Sequence, residues 1–261
     1  MEAGKLFFLM RSEVKISFRN IIKAVLSGLA FSMNTPNRIG EYFGRILSLK
    51  KGQRLIAANY SIVSGLAQLF VTILAGSVSI LLLKEVIIKS VKSDQLLKSM
   101  TQDYVIVLLI STGLLLLFIY FFYTAIFYRI CRLFPIKKLN TLASAVKKIS
   151  KGLLFRILMI SVVRFIIFTT QYLLILHSFG VKFDYYTGFA LISIIFLIMA
   201  IIPTIAFAEL GIRGKVTLIV AGGFTSQLLA LTAATVFVWV LNLVVPAIIG
   251  TIFLWKVNLR D

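Results

Sequence analysis

Four runs along the chain stay apolar for about as long as a bilayer core is thick, and two others start the same way but stop short. Residues 55–83, 104–128, 152–179 and 228–255 each reach the ~20 residues needed to cross hydrocarbon. They predict membrane-spanning helices. Residues 21–33 form only a half-length apolar segment, and residues 187–202 form another that ends at Pro203. The segments between are polar. Residues 84–103 read as a short, charged surface helix. Residues 129–151 carry Arg129, Arg132, Lys137, Lys138, Lys147, Lys148 and Lys151 with no acid. "GVKFDYY" (180–186) reads as a tight turn, 216–220 as a short apolar piece, and "AGGFTSQ" (221–227) as another turn. The N-terminal "MEAGKLFFLMRSEVK" has too short an apolar run for a signal peptide, so the helices themselves are expected to direct insertion.

Each half-length segment runs into a polar interruption. The first, "TPNRIGEYFGR" (35–45), holds Pro36, Arg38, Gly40, Glu41, Gly44 and Arg45, and precedes a span with Gln68 and Gly76. The second, "PTIAFAELGIRGK" (203–215), holds Pro203, Glu209, Gly211, Arg213, Gly214 and Lys215, and precedes a span with Asn242 and Gly250. The shared pattern suggests an internal repeat, one copy over about 21–83 and the other over about 187–255, within a single integral membrane domain, 1–261. The positive-inside rule gives the orientation. With residues 129–156 in the cytoplasm, a complete crossing by 187–202 would strand Lys256 and Arg260 outside. If that segment instead enters, breaks at Pro203 and returns, both termini are cytoplasmic. Most of the 28 Lys and Arg then lie on the inner side. The expected fold is all-α: a polytopic membrane bundle with two inverted re-entrant hairpin repeats.

Composition agrees with that reading and removes competitors. Apolar residues make up 60% of the chain and the mean hydropathy is +1.01, above the ordinary soluble range. A formal charge of +19 would suit nucleic acid, but in a membrane chain it is expected to meet anionic headgroups. The one cysteine, Cys131, excludes an internal disulfide and a multi-cysteine metal site. The one histidine, His177, lies near a helix end and reads as a satisfied interfacial residue. There is no Ser-His-Asp set, metal-ligand cluster or Walker-type glycine loop. No enzymatic activity, cofactor or metal is expected.

Candidate chemistry lies in the interruptions. An ionisable group at membrane depth is costly unless paired or hydrated. Arg38, Gly40, Glu41 and Arg45, with Glu209, Gly211 and Arg213, are the candidate substrate-binding residues. Glu209 and Arg213 are spaced i,i+4 and share a helix face. Arginine's planar fork suits an anion such as a lipid phosphate. Half-helix N-termini after Pro36 and Pro203 would add N–H donors. The alternative is that Glu41–Arg45 and Glu209–Arg213 pair only to fix the hairpins. Asn59, Gln68, Thr169, Thr170, Gln171 and Asn242 line a cavity or hydrogen-bond between helices. Arg164, within a span, needs a partner or water. "FIYFFYTAIFY" (118–128) reads as an interfacial aromatic belt.

The P-x-x-x-G-E-x-x-x-R pattern from Pro36 to Arg45 and the E-x-G-x-R pattern from Glu209 to Arg213, each followed by an apolar helix, resemble the lysylphosphatidylglycerol synthase transmembrane region. That is the flippase-like membrane half of the multiple peptide resistance factor. The resemblance covers most of the chain and implies an integral inner-membrane protein with lipid flipping or export. The sequence departs in lacking a soluble acyltransferase domain, so aminoacyl-lipid synthesis is not carried over. Its N-terminus is expected to be short by one or two helices. The expected function is lipid flippase or transporter of an amphiphile with an anionic headgroup, with membrane lipids as partners. The alternative is a non-transporting scaffold supporting an envelope-biogenesis enzyme.

Overall fold

A computed structural model describes residues 1–11, 14–33, 35, 39–90, 95–133 and 149–255. Pro36, Arg38 and most of the basic segment 129–151 lie outside the described residues. Among the described residues every regular element is helical. In chain order these are α1 (Glu2–Met10), α2 (Phe18–Ser32), α3 (Gly40–Leu47), α4 (Lys51–Ser90), α5 (Gln95–Met100), α6 (Asp103–Leu133), α7 (Lys151–Ser178), α8 (Tyr185–Ile201), α9 (Ala206–Ala221), α10 (Leu228–Trp239) and α11 (Val245–Trp255). Four helical stretches are long and apolar enough to cross a membrane: Gly52–Ile88, Asp103–Arg129, Lys151–Ser178 and Leu228–Leu254. By length and composition this is a multi-pass membrane protein.

Element bounds differ from the sequence reading in two places. The segment 84–103 is not one surface helix. α4 continues through it to Ser90, and at 40 residues it is about 60 Å long, twice the hydrocarbon thickness. Lys84 and Glu85 do not stop it, because both are good helix formers and an aqueous helix end tolerates charge. Lys84 instead pairs with Asp103, the first residue of α6. In the second interruption, 216–220 is not a separate piece. It is the last part of α9, which starts at Ala206 and carries Glu209, Gly211 and Arg213 within it.

Pro and Gly punctuate the remaining elements. α7 ends in a Schellman motif: Val181 N donates to the Leu176 carbonyl and Gly180 N to that of His177, both at 3.0 Å, with Gly180 at φ 88. His177 is satisfied there, its Nε2 lying 3.1 Å from the Phe183 carbonyl oxygen. Asp184 caps α8 by accepting from Tyr186 N and Thr187 N. α8 stops before Pro203, which cannot extend it. The last span is interrupted by a π-turn at Val240–Val244. Pro246 explains it: its ring would meet the carbonyl four residues back, at Asn242, and it has no N–H to donate.

The helices fall into two compact units. The first comprises Met1–Gln68, Leu116–Val162 and Leu243–Asp261; the second comprises Leu69–Leu115 and Val163–Asn242. Each holds one interruption. In the first unit α2 and α3 form a tight antiparallel pair across glycines. A Cβ added at Gly28 would lie 2.6 Å from the Glu41 carbonyl oxygen, and one at Gly44 2.5 Å from that of Ser27. Gly40 meets the Phe31 carbonyl in the same way, so Gly40-x-x-x-Gly44 is the small-residue face that lets the backbones touch. Gly250 of α11 abuts the Leu26 carbonyl on another side of α2. Gly44→Val and Gly250→Val are therefore each expected to destabilise by at least about 1–3 kcal/mol. Thermal melting in detergent reads this out. Gly52→Ala, with nothing within 4 Å of the new methyl, should melt at or slightly above the unsubstituted protein.

The second unit is packed around aromatic side chains. Phe165 meets Phe189 and Phe196 edge-on, and Tyr172 lies against Phe196. Gly76 of α4 gives way to Leu197 of α8.

Candidate functional site

Each unit contains a buried ion pair, and in each the arginine leaves its Nε without an acceptor. In the first, Arg45 on α3 is 3% exposed. Its Nη2 pairs with Glu41 one turn earlier and lies 3.5 Å from Glu2 Oε2, and its Nη1 donates to Ser61 Oγ at 3.4 Å. Glu2 also accepts from Ser64 Oγ at 3.5 Å and pairs with Lys5 at 2.9 Å. Lys5 is fully buried and donates to Gln68 Oε1 at 3.3 Å. Two acids and two bases thus cancel in a network drawn from α1, α3 and α4. Leu6, Leu9 and Met10 bury the rest of that face of α1. A compensated network is the way a folded chain tolerates buried charge. Here it fastens α1 against the α2–α3 pair and the first half of α4.

At the start of α3 the N-cap, Ile39, makes no side-chain hydrogen bond, but one first-turn donor is taken. Thr35 Oγ1 accepts from Gly40 N at 2.7 Å, satisfying one of the donors that the half-helix was expected to offer. Gly40 is packed on α2 rather than facing a ligand.

The second unit's pair lies on α9. Glu209 is 4% exposed and accepts from Arg213 Nη2 at 2.6 Å. The guanidinium has five N–H donors, and its Nε is buried without an acceptor. One turn further along α9, Thr217 Oγ1 is 3.2 Å from Tyr172 Oη, which is also 2.7 Å from Thr235 Oγ1 on α10. As at α3, the N-cap residue of α9 makes no side-chain hydrogen bond. Gly211 and Gly214 have nothing within 4 Å of a would-be Cβ, so that face of the helix is open.

The sequence-derived candidates therefore divide. Gly40, Glu41 and Arg45 share α3 in the first unit, and Glu209, Gly211 and Arg213 share α9 in the second. Arg38 lies outside the described residues. Among the polar span residues, Asn59 accepts from Tyr123 Oη, an interhelical bond as expected, and leaves its Nδ2 without an acceptor. Arg164 lies over its own helix's Phe168 ring at 5.0 Å. Tyr120, inside the expected aromatic belt, is buried and donates to the Leu154 carbonyl at 2.7 Å. Glu2, Lys5, Tyr172 and Trp239 were not expected to matter. An i,i+3 acid–base pair beside "LFFLM" was the one sequence signal for the first two. Among the described residues no group of His, Cys, Asp or Glu could hold a metal ion. No known family, curated protein or solved structure matches the chain.

Proposed function

We propose that the chain moves an amphiphile with an anionic headgroup between the leaflets of the inner membrane, with both termini in the cytoplasm. The observation that carries this reading is Arg213: a shielded cation with an unused donor, on a helix between two apolar ones. Broken helices that return part-way through the bilayer are a transporter device, and each compact unit holds one interruption. The motif resemblance to the flippase-like family points the same way. On this reading α8 and α9 form the outer hairpin, and α2 and α3 the inner one. Arg213 meets the headgroup while Glu209 orients it. The tails stay in lipid.

The closed network around Arg45 favours a second reading, in which the chain is a membrane scaffold for an envelope-biogenesis enzyme. Arg45 engages Glu41, Glu2 and Ser61 through its two terminal nitrogens and leaves its Nε without an acceptor. The two readings part on leaflet exchange in reconstituted vesicles, which only the transporter accelerates.

Topology gives a simpler check on the hairpins. In a chain lacking Cys131, a cysteine introduced at Asn258 is expected to be unreactive toward an impermeant thiol reagent outside intact cells. Labelling from outside would mean that α8 and α9 do not return, and the inverted repeat would be lost.

A further inference from the structure

Among the described residues of the second unit, two buried side-chain donors have no acceptor: Arg213 Nε and Trp239 Nε1. Their positions are related. Tyr172 Oη bridges Thr217 on α9 and Thr235 on α10. α9 and α10 are consecutive helices joined by residues 222–227 and packed together, so they run antiparallel. Arg213 is four residues before Thr217, and Trp239 is four residues after Thr235. Each step is one helical turn along the same face. Because the helices are antiparallel, both steps lead in the same direction. The two residues that carry the orphan donors thus each lie one helical turn to the same side of the hydroxyl cluster.

We propose that Arg213 and Trp239 form a two-donor site for a phosphate oxyanion. This deepens the transport reading, since it uses the same arginine. A buried donor without an acceptor is costly, and two of them beside one tyrosine indicate a missing group with more than one acceptor oxygen. Arginine selects an oxyanion over a neutral carbonyl. The indole N–H is a donor and nothing else, which suits an acceptor-only ligand.

The chain has two tryptophans, Trp239 and Trp255. A Trp255→Phe variant in detergent leaves Trp239 as the only indole reporter. The probes are dioctanoyl phosphatidylglycerol, inorganic phosphate near pH 6, and dioctanoylglycerol as a phosphate-free lipid. A saturable change in Trp239 emission with phosphatidylglycerol alone is expected if the phosphate belongs to a lipid. A change with inorganic phosphate as well would assign the site to the free anion too. In calorimetry with the responding probe, Trp239→Phe is expected to weaken binding roughly tenfold. The charge-balanced double variant Glu209→Gln/Arg213→Gln is expected to abolish it while eluting as the native protein does. No response to either phosphate probe overturns the site, as does an equal response to dioctanoylglycerol or unchanged affinity in Trp239→Phe. The readout is binding, so a chain that binds without moving lipid keeps the site and loses the transport reading. One that moves lipid with a silent Trp239 does the reverse.

Discussion

Arg45→Ala is expected to cost about 3–5 kcal/mol of stability, the largest single loss among substitutions in the first unit. Truncation removes the cation that Glu41 and Glu2 share. It also removes the bond to Ser61 and empties the space beside Gly28, where the Arg45 Cγ packs. Melting in detergent should fall by roughly 10 °C, and less protein should accumulate in the membrane. The network explanation makes a further demand. Removing Arg45 and Glu41 together, as Arg45→Met with Glu41→Leu, leaves the neutral Glu2–Lys5 pair. Replacing a buried ion pair by apolar groups of similar volume is often close to neutral. The double variant should therefore recover most of the loss. If it melts no higher than Arg45→Ala, the cost comes from lost packing and the charge balance is irrelevant.

Arg213 is expected to behave in the opposite way. Arg213→Lys keeps the charge and can still pair with Glu209, so abundance and melting should stay near those of the unsubstituted protein. It loses the planar fork and the Nε donor. A charge-assisted hydrogen bond lost from the transported headgroup should reduce the transport rate roughly 10- to 100-fold. A purely structural pair would show the reverse, normal transport per inserted molecule with fewer molecules inserted. The expected contrast between Arg45 and Arg213 distinguishes a fastening from the proposed site, although both have the same i,i+4 spacing in sequence.

That spacing shows where sequence reading succeeds and where it stops. The four spans were legible because twenty consecutive apolar residues have few alternatives. α8 was legible because Pro203 ends it. The i,i+4 pairs were legible because both partners lie on one helix. Helix ends were not, because Lys84 and Glu85 at an aqueous end neither favour nor forbid another turn of α4. The difference between the two pairs was also hidden. Arg45 is also held by Glu2 and Ser61, 43 and 16 residues away, and such distant contacts leave no periodic trace in one sequence. Gly40 was a candidate substrate-binding residue, yet with Gly44 it is where α2 and α3 touch. Trp239 gave no signal, because its significance depends on α10 running back along α9.

Leaflet exchange tests transport most directly. Purified protein is reconstituted into vesicles of phosphatidylglycerol and phosphatidylcholine containing a fluorescent phosphatidylglycerol in both leaflets, and a membrane-impermeant reductant is added outside. In protein-free vesicles the reductant removes about half of the signal. With the unsubstituted chain it should remove nearly all of it, as inner-leaflet lipid reaches the outside. With Arg213→Lys at equal reconstituted amounts, the loss should stop near half over the same period. If vesicles holding the unsubstituted chain retain the inner-leaflet signal as protein-free vesicles do, transport of this lipid is contradicted and the scaffold reading takes its place.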